Sequence, residues 1–287
     1  MILNYNSSSA LKTFLEQEEL GMQKKFGQNF LINPQIRQSL VQALDAEADS
    51  NVWEIGPGLG AMTALLLEKG LNVKAFEIDL GFIRVLKRLF SDDKKFSLIE
   101  GDVMKTWTNH AEEQKKYLLG NLPYNIAAAL LADFMEKGCN FSRMVVTVQK
   151  EVAQRMAAKA GSKDYSSFSV LCASAYKVKP LMVIRRESFY PQPNVDSMGV
   201  LLESRFSAEN GQVKYPKVFY PLVRALFASR RKTIKNNLLT FIGSLGGSRD
   251  VCGDILRENG INENERAENL DIDAFLSLAN SIDNMRL

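Results

Sequence analysis

The sequence predicts an α/β protein: a doubly wound, mostly parallel Rossmann-like sheet with antiparallel strands at its end, followed by a small C-terminal helical domain. Three observations carry this expectation. From residue 51, short apolar runs alternate with longer amphipathic ones: NVWEI then AMTALLLEKG, NVKAFEI then LGFIRVLKRLF, FSLIE, YLLGN then IAAALLADFMEKG, RMVVTV then QKEVAQRMAAK. Strands alternating with helices imply a parallel sheet covered on both faces. After about residue 164, SSFSVLCASAY, KVKPLMVIRR and SMGVLLE are β-rich without clear helices between them, as expected of antiparallel strands finishing the sheet. Beyond the polar stretch 204–214, FYPLVRALFASRRKTIKNNLLTFI, DVCGDILRENG and IDAFLSLANSI read as helices. The expected domains are therefore 1–204, with residues 1–22 an extension of no assigned role, and 205–287.

Punctuation supports each element. Asn33-Pro34 reads as the cap and first position of an early helix, and Gly70 and Gly138 stand where helices should end. In Gly-Asn-Leu-Pro-Tyr-Asn-Ile, residues 120–126, Pro123 stops a strand and Asn125 is expected to cap the next helix. A turn has no need of Tyr124.

Composition narrows the classes. The 287 residues are 46% hydrophobic, enough to bury a sizeable core, and the net charge of +3 requires any polyanion site to come from clustering. Cys139, Cys172 and Cys252 are far apart, with no C-x-x-C pair, which argues against a disulfide framework or zinc site and for a cytoplasmic setting. His110, the single histidine, lies in a polar stretch and reads as a solvated loop residue, so neither a histidine triad nor a metal site is expected. The first 21 residues lack a signal or transit pattern, and no apolar run approaches the ~20 residues that span a bilayer.

The stretch Trp-Glu-Ile-Gly-Pro-Gly-Leu-Gly-Ala, residues 53–61, follows a strand and opens a helix; Gly56, Gly58 and Ala61 satisfy G-x-G-x-x-A. Glu77 closes the next strand, where a carboxylate accepts hydrogen bonds from ribose hydroxyls. Together they indicate an adenosine-containing cofactor. Pro57 removes an N–H that a pyrophosphate would use, so a cofactor without phosphates fits better. Glu54 and Asp102 are expected to add negative character around the mouth, which suits the cationic S-adenosylmethionine.

In such a sheet ligands sit outside the carboxyl ends of the strands, which is where Asn121 to Tyr124 fall. The exocyclic amine of adenine is a poor nucleophile because its lone pair is delocalised into the ring. The Asn121 side-chain oxygen and a carbonyl of the Leu122-Pro123 turn are suited to accept its two N–H bonds, favouring the pyramidal amine of the transition state. Pro123 fixes the turn, and Tyr124 offers a ring for stacking.

This loop resembles the Asn/Asp-Pro-Pro-Tyr-type motif of amino-methylating, S-adenosylmethionine-dependent methyltransferases. The wider pattern resembles the small-subunit (16S) ribosomal RNA adenine N6,N6-dimethyltransferase family, called KsgA in bacteria: KKFGQNFL at 24–31, EIGPGLG at 54–60, FEID at 76–79, GD at 101–102, GNLPYNI at 120–126, QKEV at 149–152, FYPQPNVDS at 189–197 and FASRRKTIKNNL at 227–238. The resemblance implies a Rossmann-like methyltransferase fold, with Asn29 and Leu31 over the cofactor, Gly56 at its methionine part, Glu77 at the ribose, Asp102 at the adenine, and Asn121 touching both cofactor and target base. It implies that the target adenine is held between Tyr124 and Phe189. The implied substrate is a pair of neighbouring adenosines in a hairpin near the 3′ end of small-subunit rRNA, within an immature 30S subunit, acted on by a monomer with no metal and no membrane contact.

In that reading Arg230, Arg231, Lys232 and Lys235 position phosphates, with Lys24-Lys25 and Arg185-Arg186 as weaker instances; the alternative is a solvated helix face. Three other functions compete. They are a large-subunit rRNA adenine methyltransferase of the erythromycin-resistance type, a non-catalytic ribosome assembly factor, and a nicotinamide-dependent oxidoreductase that rests on the glycine pattern alone.

Overall fold

The computed structural model describes residues 3–21, 27–111, 117–205 and 213–285; Lys24, Lys25 and most of the polar stretch 204–214 lie outside the described residues. Helix α1 (Ser8–Gln17) precedes a two-residue strand β1 (Phe30–Leu31) and α2 (Pro34–Ala43). Alternation follows: β2 (Asn51–Ile55), α3 (Ala61–Glu68), β3 (Asn72–Glu77), α4 (Leu80–Phe90), β4 (Phe96–Glu100), α5 (Val103–Thr106), β5 (Tyr117–Asn121), α6 (Ala127–Glu136), β6 (Arg143–Gln149) and α7 (Lys150–Ala157). Then come α8 (Ser167–Ala175), β7 (Tyr176–Ile184), β8 (Phe189–Tyr190), β9 (Ser197–Ser204) and the helices α9 (Pro216–Phe227), α10 (Ile234–Ser244), α11 (Arg249–Glu258) and α12 (Ile272–Asn284). No helix among the described residues is long and apolar enough to cross a membrane.

Seven strands form one sheet in the order β4-β3-β2-β5-β6-β9-β7, and β1 pairs separately with β8. Strands β2 to β6 run parallel to their neighbours, and β9 runs antiparallel to β6, pairing Arg143 with Glu203 and Gln149 with Ser197. The predicted doubly wound architecture with an antiparallel finish is therefore the observed one. Strand order reverses between β2 and β5, so the connections leaving their carboxyl ends diverge and open a crevice. Register brings Ile55 beside both Phe76 and Gly120, which sets the glycine loop and the 120–126 loop next to each other at that crevice.

The local reasons match the sequence. Asn33 Oδ1 accepts from the Ile36 amide at 3.1 Å with Pro34 at the first helical position, and Gly70 and Gly138 adopt φ of 72° and 71° past the ends of α3 and α6. Trp53 is buried between the rings of Phe76 and Phe141, at 4.8 and 5.5 Å. Asp79 caps α4 through the Gly81 and Phe82 amides, and Asp102 caps α5 through Met104.

Two expectations are corrected. SSFSVLCASA is a helix, not a strand: Ser166 and Ser169 form a capping box, and seven of the nine residues of α8 are buried. A helix that is apolar on all sides carries no 3.6-residue period, so its sequence reads as a strand. The predicted helical run through 219–242 is also broken at 228–233, where Thr233 becomes the N-cap of α10. Buried Asn237 explains the break, since its Nδ2 donates to the Leu226 carbonyl at 2.8 Å and the Ser229 carbonyl at 3.2 Å, satisfying groups at the end of α9.

The chain divides into two compact units, Met1–Leu131 with Cys139–Ala153 and Lys179–Glu203, and Ala132–Gly138 with Gln154–Val178 and Ser204–Leu287. The first contains most of the sheet. The helical second unit thus takes in α8 as well as the residues beyond 204; within it Phe227 stacks on Phe275 and the Tyr165 hydroxyl donates to the Leu270 carbonyl at 2.8 Å. Replacing Asn237→Ala leaves the Leu226 carbonyl without its buried donor and is expected to cost ~1–3 kcal/mol. A urea titration followed by circular dichroism checks this, and an unchanged midpoint refutes the role given to the side chain.

Candidate active site

A cavity of about 310 Å³ opens at the crevice between β2 and β5, within the size range of small-molecule sites. Its lining includes Asn29, Leu31, Gly56, Glu77, Asp102, Asn121, Pro123 and Tyr124. Eight residues from five separate stretches of sequence are thus brought to one place.

The glycine loop is shaped by backbone conformations that favour glycine. Gly56, Gly58 and Gly60 take φ of 67°, 58° and 88°. A Cβ on Gly60 would lie 2.4 Å from the Phe90 ring, so substitution there fails twice. The Gly58 amide donates to Glu77 Oε2 at 3.1 Å, while Glu77 Oε1 accepts from the Ile78 and Asp79 amides, both at 2.9 Å. Glu77 is 6% exposed, and burial pushes its carboxyl up to about 7 against the pull of those three donors.

Glu54 is placed differently from its expected position. It is wholly buried and does not line the cavity. Residue 54 lies in a strand whose positions 52–55 are all buried, and its side chain accepts from the Thr63 hydroxyl at 2.7 Å. Its other oxygen, Oε1, has no hydrogen-bond partner, and burial pushes the group up to about 7, with Glu77 adding to the rise.

At the second loop, Asn121 Nδ2 donates to the Asn29 carbonyl at 2.7 Å. A carbonyl takes only donors, so this bond fixes which way the amide faces and leaves Oδ1 as an acceptor. Pro123 O accepts the amides of Ile126 and Ala127 at the start of α6, whereas the Leu122 carbonyl receives no hydrogen bond among the described residues. The Tyr124 hydroxyl meets Ser197 Oγ at 2.5 Å, which anchors one end of the ring; burial raises its pKa.

Phe189 is not at the cavity. The β1–β8 register pairs it with Leu31, and it is 3% exposed in a core cluster with Leu31, Leu40 and Ile184. Alternation along so short a strand sends Phe189 inward and Tyr190 to the opposite face, where Tyr190 packs with Phe30 against α4 residues. The basic run separates as well: Arg230 pairs with Glu268 at 2.8 Å and Lys235 with Glu263, while Arg231 and Lys232 are exposed and outside any ion pair among the described residues. His110 is half-buried, its ring edge-on to Phe76 at 5.9 Å, rather than a solvated loop residue. Among the described residues no group of three His, Cys, Asp or Glu is arranged to hold a metal ion.

Sequence reasoning passed over Tyr5, Leu11, Gln28 and Arg37, all of which line the cavity, and Ser197, which anchors Tyr124. Gln28 Nε2 donates to Asp79 Oδ2 at 2.9 Å. A signal existed for Gln28, inside KKFGQNFL, but none for Arg37, which looks like any surface residue of an amphipathic helix.

Comparison with known proteins gives the family. A model described as "Ribosomal RNA adenine dimethylase" matches residues 20–284. The chain belongs to the ribosomal RNA adenine dimethylase family. Among this family's curated members, "Ribosomal RNA small subunit methyltransferase A" of Treponema denticola is 47% identical over 97% of this chain and 96% of its own length. The protein of the same description from Borreliella burgdorferi is 40% identical over 98% and 96%. A crystal structure of a dimethyladenosine transferase from Plasmodium falciparum superposes with a TM-score of 0.76 at 26% identity, covering 89% of this chain and 98% of that one. The methyltransferase fold expected from the sequence is thus the one found.

The buried carboxyls give this dimethylase a measurable pH dependence. A carboxyl whose folded value, about 7, exceeds its ordinary 4.5 holds its proton more tightly when folded. Its contribution to stability is therefore complete below 4.5 and lost as pH rises to about 7, amounting to about 3 kcal/mol for Glu54. Glu54→Gln should leave Tm nearly unchanged at pH 5 and raise it by a few degrees, relative to the parent, at pH 8. Scanning calorimetry at both values checks this; a difference independent of pH contradicts it.

Proposed function

We propose that this protein transfers methyl groups from S-adenosylmethionine to N6 of two neighbouring adenosines in a hairpin near the 3′ end of small-subunit (16S) rRNA. The product is N6,N6-dimethyladenosine, formed in the cytoplasm during small-subunit biogenesis by a monomer acting on an immature 30S particle. The observation that carries the reading is the Asn121 amide, committed as a donor to Asn29 and so offering Oδ1 at a cavity shared with the nucleoside-type residues Gly56, Glu77 and Asp102. Family membership and the printed names of the relatives support the substrate.

The residues fit the cofactor. Glu77 uses three of its roughly four lone-pair directions on backbone amides, so it would hold the ribose of the cofactor through its remaining acceptor capacity. Asp102 keeps Oδ2 for the adenine end while Oδ1 caps α5. Asn29 and Leu31 cover the site from the stretch that Asn121 holds. A cationic ligand also favours the ionised forms of Glu77 and, through the wall, Glu54. When bound, S-adenosylmethionine supplies an electrophilic methyl group on a sulfonium.

The protein's work is to shape the nucleophile. Asn121 Oδ1 and the Leu122 carbonyl accept the two N–H bonds of the adenine amine, draw its lone pair out of conjugation and aim it. Bound S-adenosylmethionine would supply the methyl group and leave as the thioether, and the alkylated nitrogen would release its proton to solvent while these two acceptors hold it in place. Pro123 holds the Leu122 carbonyl in place. Tyr124, anchored through its hydroxyl, supplies the stacking face, worth ~1–3 kcal/mol per base. With Phe189 in the core beneath Leu31, a second stacking ring is not required in this scheme: one anchored face and two acceptors define the base plane. Such positioning reaches effective molarities of ~10⁵–10⁸ M without a strong general base.

Residues 205–287 form the RNA- and subunit-binding domain in this proposal. Arg231 and Lys232, exposed and outside any ion pair among the described residues, are its phosphate contacts; Arg230, held by Glu268, contributes by holding the turn.

Mass spectrometry of rRNA from cells with and without the gene tests the substrate; loss of methylation in large-subunit RNA alone overturns it. Asn121→Ala is expected to lower methyl transfer at least ~10²-fold while retaining binding to small subunits. Unchanged turnover would sink the role of that side chain. For Tyr124→Ala, transfer should fall more than cofactor affinity does, and calorimetry beside a single-turnover assay reads both.

A further inference from the structure

Residues 3–19 precede the stretch matched by the family model, and the function proposed above gives them no task. They are nevertheless built into the cavity. Leu3, Leu11, Phe14 and Leu15 are buried in one cluster with Leu59 of the glycine loop and with Phe82 and Val85 of α4. The Tyr5 hydroxyl donates to the Leu59 carbonyl at 3.0 Å, and Tyr5 and Leu11 both line the cavity. At the far end of the segment, Arg88 holds Glu18 through two bonds of 2.8 and 3.0 Å, and Leu20 lies against Gly81, where a Cβ would come within 2.4 Å of its side chain.

One residue joins this segment to the rest of the cover. Arg37 on α2 is 5% exposed and lines the cavity. Its Nη2 donates to Asn6 Oδ1 and its Nη1 to the Leu31 carbonyl, each at 2.5 Å, with the Tyr5 carbonyl 3.4 Å from Nη1. Its Nε is buried and has no hydrogen-bond partner among the described residues. Burying a guanidinium is expensive, and fastening a terminal helix to a surface has no need of one. The groups it joins, Tyr5-Asn6 and Leu31, belong to two stretches that border the same cavity.

We propose that residues 3–20 are a wall of the cofactor chamber, and that Arg37 is a positioning residue that locks Tyr5 and Leu31 in place around the ligand. The inference rests on the cofactor reading given above. Cofactor affinity then depends on a segment far in sequence from the glycine loop, whereas recognition of the RNA does not.

The test uses the full-length chain in three variants: Arg37→Met, Tyr5→Ala and, as a control, Arg143→Met. Arg143 bonds to Glu203 and Asp45 at the start of β6, away from the carboxyl ends of the strands. Calorimetric titration with S-adenosylmethionine and S-adenosylhomocysteine, Tm without ligand, and KM for undermethylated small subunits are measured for each. Arg37→Met and Tyr5→Ala should weaken both ligands by about tenfold or more with KM for the subunit within about twofold of the parent. Arg143→Met should lower Tm and leave both ligand affinities within about twofold. If folded Arg37→Met and Tyr5→Ala bind like the parent, or if Arg143→Met weakens binding as much as they do, the wall is overturned. Should Arg37→Met not fold, Tyr5→Ala decides alone. A parent that binds neither ligand overturns the cofactor reading itself, which separates that failure from failure of the wall.

Discussion

The hydrogen bond from Asn121 Nδ2 to the Asn29 carbonyl spans 92 positions of sequence and closes the site. One end lies on the loop leaving β5, the other on the stretch that enters β1. Without it the Asn121 amide loses the partner that fixes its orientation, and with it the direction of the oxygen that the proposed reaction uses. The bond also explains why the sheet must reverse its order between β2 and β5: only there do the glycine loop, the 120–126 loop and a covering segment reach a common space. Glu77 and Asp102 are then positioned by backbone amides and Tyr124 by the Ser197 hydroxyl, each held before any ligand arrives.

Electrostatics around that space work against stability. Two carboxyls, Glu54 and Glu77, are almost completely buried and Arg37 is 5% exposed, yet none of the three carboxyl and guanidinium groups pairs directly with another. Each is instead held by neutral donors or acceptors: a threonine hydroxyl, backbone amides, a carbonyl and an asparagine oxygen. A well-formed ion pair would cancel the local field; leaving the charges separated preserves it for a ligand that carries charges of its own. The orphaned atoms Glu54 Oε1 and Arg37 Nε are the residue of that arrangement. Sites that violate the rules of a stable core are where function is expected, and two of these buried charged groups, Glu77 and Arg37, line the cavity.

Much of this was legible in the sequence, for a physical reason. The strands NVWEI, NVKAFE, YLLGN and RMVVTVQ are buried on both faces, so they appear as continuous apolar runs, and the loops between them carry residues that only a turn or ligand explains. The glycines of 56–60 and the Asn-Leu-Pro-Tyr loop were readable because their constraint is local. What stayed hidden was set by tertiary contact. α8 has no polar face and so no helical period, and Phe189 sits beside prolines that suggest an exposed loop until pairing with Leu31 turns it inward. The amino-terminal segment was dismissed although Ser7 caps α1 and Leu11, Phe14 and Leu15 fall on one helical face. Nothing in those residues says what that face covers, and Arg37 gains its meaning only from Tyr5, Asn6 and Leu31.

Selecting a substrate poses a separate problem from methylating it. In the proposed scheme two acceptors and one stacking face select a base that carries an exocyclic amine, but every adenine in ribosomal RNA carries the same amine. The additional information must therefore come from contacts that read the position of the backbone rather than the base. Arg231 and Lys232 have the character such contacts need, being exposed and outside any ion pair among the described residues, while Arg230 and Lys235 pair at the surface with Glu268 and Glu263. A run of four cations thus divides into two that stabilise the turn between α9 and α10 and two that the turn presents. In the proposed reaction the helical unit chooses where on the RNA the enzyme acts, and the sheet unit decides what it does there.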